Sequence, residues 1–260
     1  MLQRCADVVS FMASSSGPCG VSAIAAALDL PKSATHRLLR EMCSLGWVQQ
    51  DGADGPYALT LRFALLGHRV LQASRLPDLV QPVLDELARR TRELVRLTTA
   101  TGDGLVWIAA AQGAPPGLLY QPAMDDPVVL HATANGKAYL ATLDDAAALA
   151  CAKRGGLGTL RPTPRTIATE DVFRADLAEV RRRGYAVVAS EAEEGITAVA
   201  VAVRALQPEH LFGTVSIAGP TQRIPPSRVP ELAASLAETA SSLASVWPAF
   251  ADTTTKMSQS

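Results

Sequence analysis

The stretch from Leu30 to Met42, LPKSATHRLLREM, constrains the fold most, because it has the pattern of a helix with two different faces. At about 100° of rotation per residue, a helix beginning near Lys32 separates the polar side chains from the others. The core side would hold Ala34, Thr35, Leu38, Leu39 and Met42, and the polar side Lys32, Ser33, His36, Arg37 and Arg40. The polar side can donate hydrogen bonds to phosphates or base edges. An ordinary solvated surface helix has the same pattern.

The residues around this stretch favour DNA binding. A helical pattern over residues 6–13 stops at the turn-forming run 14–20, and an alanine-rich helix follows. Asp29-Leu30-Pro31 then turns the chain into the helix that begins near Lys32. Two short helices joined by a tight turn form a helix-turn-helix, whose second helix enters the major groove. The segments 47–50 and 57–59 flank a loop of turn formers and predict a two-stranded wing, which usually meets the sugar-phosphate backbone or the minor groove.

Length and charge limit the alternatives. The chain has 260 residues, 48% of them hydrophobic, which suits two domains with separate cores. Its 24 Lys and Arg residues are balanced by 25 Asp and Glu residues, which excludes a globally basic nucleic-acid coat. Any DNA-binding surface must therefore be local, and the position of the basic residues matters more than their number.

The string LPKSATHRLLREMCSLGWVQQ, followed by YALTLRFALLG, resembles the N-terminal winged helix-turn-helix of IclR-type bacterial transcriptional regulators over nearly all of residues 5–67. We expect a DNA-binding domain over residues 1–60, with DNA contacts from Lys32, Ser33, His36, Arg37 and Arg40. The expected partner is double-stranded DNA with a pseudo-palindromic operator, bound by a homo-oligomer, either a dimer or a tetramer.

A connecting helix is predicted next, over residues 61–78. The helical pattern continues to Arg92, with breaks expected at Leu76-Pro77 and Gln81-Pro82, because a residue before proline disfavours the helical conformation. The apolar residues of the connecting helix are Leu61, Leu65, Leu66, Val70 and Leu71. They could join two chains, or they could pack within their own chain.

The remainder alternates between β-rich runs and helical patterns, which predicts an α+β domain over residues 79–250 with helices packed on a sheet. Three strings resemble the IclR effector-binding domain: LHATANGKAYLA, TPRTIATEDVFRADLAEVRRRGYAVVASEAEEGITAVAVAV and GTVSIAGPTQRI. The resemblance implies a GAF-like fold that binds a small organic effector and contributes to oligomer contacts. Residues 251–260 are expected to form a disordered tail.

The resemblance also places residues at the effector site: Ala134, Asn135, Gly136, Val188, Glu191 and Ser216. For Gly136, a backbone requirement is the alternative. Many relatives have a second serine where this chain has Ala218, and an acidic residue is common at the position of Val188. Both differences make the site less polar, which favours a partly apolar or aromatic carboxylic acid as the effector.

Arg96 and Tyr120 complete the predicted effector site. Arg96 interrupts a β-rich run, and a charge that faced inward there would need an anionic partner such as a ligand carboxylate or a glutamate. The alternative is that Arg96 faces solvent. Tyr120, together with Trp107 and Met124, could supply apolar walls for a ligand or could belong to the core.

Catalysis is not expected. The chain has no G-x-S-x-G elbow, no Walker loop and no metal-ligand spacing, so no catalytic residue, metal or cofactor is predicted. The four dispersed cysteines indicate reduced thiols, and the absence of a long apolar run or signal pattern predicts a cytoplasmic protein without a membrane partner. The rival hypothesis is an oligomeric small-molecule sensor or protein-interaction module that does not bind DNA.

Overall fold

A computed structural model describes residues 2–15, 17–74, 76–101, 104–117, 119–124, 127–204 and 211–247. The chain divides into two compact units, residues 1–73 and 74–260. The boundary therefore falls before residue 78, where the linker was expected to end. The expected tail, residues 251–260, lies outside the described residues. In the described part of the chain, no helix is long and apolar enough to cross a membrane.

The first unit is a three-helix bundle with a small β-hairpin. Its elements are α1 (Leu2–Ala13), α2 (Val21–Ala27), α3 (Lys32–Ser44), β1 (Val48–Gln50), β2 (Tyr57–Leu59) and α4 (Arg62–Ser74). Asp29, with a φ of 50°, makes the tight turn between α2 and α3. Val8, Ile24 and Leu39 bring the three helices together in one core, which the wing residue Tyr57 extends. This is the winged helix-turn-helix that the sequence predicts.

Several apolar side chains of the connecting segment are uncovered. Leu61, just before α4, is 80% exposed, Val70 is 67% exposed, and Leu65 and Leu66 are also exposed. The side chain of Leu71 lies outside the described residues. The side chains of Leu61, Leu65, Leu66 and Val70 are therefore not packed within their own chain. Packing within the chain was one of the two alternatives, and contact with a second chain was the other.

The second unit is built on one antiparallel sheet. Its elements are α5 (Leu76–Thr91), β3 (Leu94–Thr101), β4 (Gly104–Gln112), α6 (Ala134–Leu140), α7 (Asp145–Arg154), α8 (Glu170–Arg183), β5 (Ala186–Ala189), β6 (Ile196–Arg204), β7 (Leu211–Pro220), a 3-10 turn (Pro226–Arg228) and α9 (Val229–Val246). The five strands lie in the order β4-β3-β7-β6-β5, and all neighbours are antiparallel. The predicted α+β fold, with a winged helix-turn-helix joined by a helix to a GAF-like domain, is confirmed.

The expected break at Gln81-Pro82 is wrong. Helix α5 runs through Pro82, although proline cannot donate a backbone hydrogen bond inside a helix. Val80, Leu84 and Leu87 are almost completely buried in the main core on both sides of this position, and their packing offsets the lost bond. The other expected break, at Leu76-Pro77, is also wrong, because both residues lie in the first turn of α5, where proline costs no intrahelical bond.

The two faces of the sheet have different coverings. Helices α5 and α9 cover one face, where Val95, Leu97 and Ile217 belong to a continuous apolar core. Helix α6 packs against β6 and β7 on the other face. Because successive side chains of a strand point to opposite faces, Arg96 and Thr98 point toward the α6 face.

Candidate DNA-binding and effector sites

The polar face of α3 is formed as the sequence predicts. Thr35, Leu38, Leu39 and Met42 are buried, while Lys32, Ser33, Arg37 and Arg40 are exposed and His36 is half-buried. The five predicted DNA contacts occupy a continuous arc of about 140° on the helix. Within the part of the chain that the structure describes, none of the three cations forms an ion pair, so their charges can reach phosphates or base edges.

The wing is formed, but its tip is acidic. The loop between β1 and β2 contains exposed Asp51 and Asp54, and it has no lysine or arginine. Two carboxylates at the tip oppose close approach to the phosphate backbone. The positive surface of this unit therefore centres on α3 more than on the wing.

In the second unit, Arg96 faces inward and not toward solvent. It is 8% exposed, and its guanidinium carbon lies 3.8 Å from the ring centroid of Trp107 and 5.9 Å from that of Tyr120. Ser216 is its direct neighbour on β7. We call Arg96, Trp107, Tyr120 and Ser216 the arginine cluster. Of these, Trp107 was expected either to line the ligand site or to belong to the core, and it lies beside Arg96.

Tyr120 keeps its proton at neutral pH. Burial raises the pKa of its phenol to about 12, the positive charge of Arg96 opposes that increase, and Glu193 adds to it through its charge and a hydrogen bond. The one phenolic hydrogen of Tyr120 is donated to the Glu193 carboxylate, because a carboxylate can only accept. The arginine cluster therefore combines a cation, the Ser216 hydroxyl and two aromatic faces.

Glu191 has a different partner. Its two carboxylate oxygens accept hydrogen bonds of 2.8 and 2.7 Å from Lys137 Nζ, and Asp176 lies 2.9 Å from the same ammonium. Lys137 is completely buried, and burial raises the pKa of Glu191, although Lys137 opposes that shift. The carboxylate predicted to bind effector is thus the counter-ion of a buried lysine. One sequence signal for this cluster was the lysine inside the otherwise uncharged run of α6.

The start of α6 serves packing and hydrogen bonding. Asn135 Nδ2 donates to Thr214 Oγ1 at 2.9 Å, and Thr214 contacts the hydroxyl of Thr98 at 2.7 Å. A Cβ at Gly136 would lie 2.2 Å from the carbonyl oxygen of Leu130, so this position requires glycine. The alternative interpretation of Gly136, that the backbone requires a glycine there, therefore has a direct physical cause.

Val188 and Ala134 lie together in a small apolar cluster between β5 and α6. Three strand spacings separate β5 from β3, which carries Arg96. At about 4.8 Å per spacing, β5 is roughly 14 Å from β3 across the sheet, and Val188 is displaced by two further residues along the strand from the position level with Arg96. The structure thus divides the eight predicted effector residues: Arg96, Tyr120 and Ser216 meet in the arginine cluster, and Ala134, Asn135, Gly136, Val188 and Glu191 lie around α6.

His131 and Cys151 are both buried. His131 Nε2 donates to the carbonyl oxygen of Leu160 at 2.9 Å, and burial lowers the pKa of this imidazole, with a further decrease from Lys137. Among the residues that the structure describes, no three His, Cys, Asp or Glu side chains are grouped so that they could hold a metal ion.

Comparison with known proteins covers almost the whole chain. The family model "IclR helix-turn-helix domain" matches residues 1–52, and "Bacterial transcriptional regulator IclR C-terminal" matches residues 68–245. The acetate operon repressor of Salmonella typhimurium is 31% identical over 236 residues, which cover 90% of this chain and 84% of the repressor.

Two solved structures have the same fold. An IclR family transcriptional regulator from Brucella abortus superposes with a TM-score of 0.77 at 20% identity, covering 94% of this chain and 90% of that protein. An IclR homologue from Microbacterium hydrocarbonoxydans, crystallised with 4-hydroxybenzoate, superposes with a TM-score of 0.68 at 23% identity, covering 95% and 99%.

Proposed function

Because the chain belongs to the IclR family of bacterial transcriptional regulators, we propose that a small aromatic carboxylic acid binds at the arginine cluster and controls how the protein binds its operator. The protein is a DNA-binding transcriptional regulator and not an enzyme. This excludes the rival hypothesis of a module without DNA binding. We also propose that the protein acts in the cytoplasm, where it would bind chromosomal DNA.

The observation that carries the proposal is the setting of Arg96. A guanidinium is planar and binds a carboxylate through two parallel hydrogen bonds, and its face stacks on aromatic rings. Trp107 already lies against the Arg96 guanidinium, which keeps the cation oriented within the sheet face. The ring of an aromatic acid would find Trp107 and Tyr120 beside its carboxylate-binding group.

The neighbours of Arg96 support a ligand of this size. Ala110 on β4 and Ser216 on β7 flank Arg96 directly, and Ala200 follows Ser216 on β6. These short side chains do not compete with a ligand for the volume next to the guanidinium. The Ser216 hydroxyl can donate a hydrogen bond to a carboxylate oxygen.

DNA binding is assigned to the exposed face of α3. We propose that Lys32, Ser33, His36, Arg37 and Arg40 contact the operator, and that two chains pair so that two α3 helices reach adjacent major grooves. The uncovered apolar side chains of α4 supply a surface for such pairing. The proposed contact between α3 and the operator is the same for a dimer and for a tetramer.

Calorimetric titration tests the effector site. We expect 4-hydroxybenzoate and benzoate to bind the wild-type protein and to change its affinity for DNA, while the neutral analogue benzamide binds much more weakly. Arg96→Met should weaken benzoate binding by about 10- to 100-fold, because a charge-assisted hydrogen bond is lost. Arg90→Met, at an exposed arginine paired with Glu238, is the matched control.

Equal binding of benzoate to wild type and Arg96→Met would remove Arg96 from the site. Binding without any change in DNA affinity would disprove the control of DNA binding, because coupling requires different ligand affinities for the two states.

A further inference from the structure

The end of helix α3 is tied to the beginning of α4. Gly46, with a φ of 71°, ends α3 in a left-handed turn in which the amides of Gly46 and Trp47 donate to the carbonyls of Cys43 and Met42. The carbonyl of Leu45 instead accepts a 2.6 Å hydrogen bond from Arg62 Nη1. The first residue of α4 therefore caps the last turn of the DNA-binding helix.

Two further contacts reinforce this junction. Thr60 Oγ1 donates to the carbonyl of Gly46 at 2.7 Å, and the amide of Arg62 is 3.4 Å from the same hydroxyl at the start of α4. The rings of Trp47 and Phe63 meet edge to face, with centroids 5.1 Å apart. A polar contact and an aromatic contact thus hold α4 on both sides of Arg62.

We propose that Arg62 is a positioning residue for DNA binding: it fixes the angle between α3 and α4, and thereby the spacing of the two α3 helices in a pair of chains. The inference rests on the proposed pairing through α4. If α4 joins the two chains, the direction in which α3 leaves α4 sets the distance between the two DNA-contacting surfaces.

The chemistry of the contact favours this role over a direct phosphate contact. Arg62 places its positive charge at the C-terminal end of α3, where the helix dipole and the free carbonyls attract a cation. The Nη1 atom of Arg62 already donates a hydrogen bond to the Leu45 carbonyl at that end. Arg69, further along α4, is exposed and carries the same charge without a contact to α3 in the described structure, and so provides a matched control.

The test is a spacing assay. A duplex that the wild-type protein selects from a random-sequence library is compared with versions carrying one or two base pairs inserted between the half-sites. We expect Arg62→Ala to bind the selected duplex about tenfold more weakly, because ordering the angle between α3 and α4 then becomes part of the free-energy cost of binding. The penalty for insertion should shrink several-fold, because only the Thr60 and Trp47–Phe63 contacts then hold the angle between α3 and α4.

Salt dependence separates positioning from phosphate contact. Arg62→Ala should keep the wild-type slope of log affinity against log salt, whereas loss of a phosphate contact would reduce that slope by about one. Arg62→Lys, which keeps the charge and one donor, should fall between wild type and Arg62→Ala. Arg69→Ala should leave the insertion penalty unchanged.

An insertion penalty in Arg62→Ala or Arg62→Lys equal to that of wild type, or a reduced salt slope, overturns the inference. If insertions do not weaken wild-type binding either, the proposed paired binding fails instead. Near-ultraviolet circular dichroism of each variant identifies loss of the folded domain, in which case the Arg62→Lys result decides.

Discussion

The cations of α3 and those of the sheet domain differ in what surrounds them. Lys32, Arg37 and Arg40 are exposed on a helix whose opposite side is core, whereas Arg96 and Lys137 are buried on the α6 face of the sheet. An exposed charge costs little free energy in the unbound protein, while a buried charge must be compensated by its neighbours. Exposed cations are therefore available to a partner, and each buried one has a structural or ligand-binding role.

The two buried cations also differ from each other. Lys137 lies within 2.9 Å of two carboxylates, Glu191 and Asp176, and so links α6, α8 and the loop after β5. Arg96 lies against the faces of Trp107 and Tyr120. A lysine held by two carboxylates stabilises the fold, and a guanidinium stacked on aromatic rings has the planar geometry that binds a carboxylate.

The largest expected effect tests the structural role of Lys137. Lys137→Met should lower the free energy of unfolding by about 3 kcal/mol, because Glu191 and Asp176 would be left without their buried counter-ion. Urea denaturation measures the loss. Lys153→Met, which breaks an exposed pair with Glu170, should cost about 1 kcal/mol or less.

Adding Glu191→Gln and Asp176→Asn to Lys137→Met should recover part of the stability, because no uncompensated charge remains. A loss below 1 kcal/mol for Lys137→Met alone would show that the buried ion pair does not stabilise the domain.

The role of the exposed α3 cations in DNA binding is tested at Arg40. Arg40→Ala should weaken binding to the selected duplex by about 2 kcal/mol, roughly 30-fold, without lowering the melting temperature. Fluorescence anisotropy measures the affinity. Arg89→Ala makes the same change in net charge in the second unit, at an exposed pair with Glu86, and should bind DNA like wild type. Unaltered binding by Arg40→Ala would exclude this residue as a contact.

The smallest effect concerns His131. Its folded pKa lies below the ordinary value, so the folded protein binds fewer protons than the unfolded chain as pH falls below about 6.5. Its contribution to stability is complete above that pH and is lost as pH falls toward the folded pKa. The slope from one group cannot exceed about 1.4 kcal/mol per pH unit.

His131→Gln should remove this slope, because glutamine can donate to the Leu160 carbonyl without titrating. Urea denaturation of both proteins between pH 7 and pH 5 gives the difference. Identical pH dependence in wild type and variant would show that His131 does not titrate differently in the folded state.

Sequence patterns predicted α3 and the wing well because their signals are local. The spacing of Thr35, Leu38, Leu39 and Met42 is a property of a single helix, and turn residues mark the hairpin. The family resemblance identified the type of the C-terminal domain correctly. It was less informative about Glu191, because a carboxylate that binds a ligand and one that pairs with a buried lysine look alike in sequence.

The sequence by itself determined where most helices and strands form, which face of α3 is polar, and that two domains follow each other, whereas core packing carried α5 through Pro82. Only the tertiary structure decided that Arg96 turns inward toward Trp107, that Lys137 takes Glu191, and that Arg62 caps α3. The physical reason is that periodicity is set by neighbours along the chain. The compensation of a charge depends on residues that folding brings together from distant parts of the sequence.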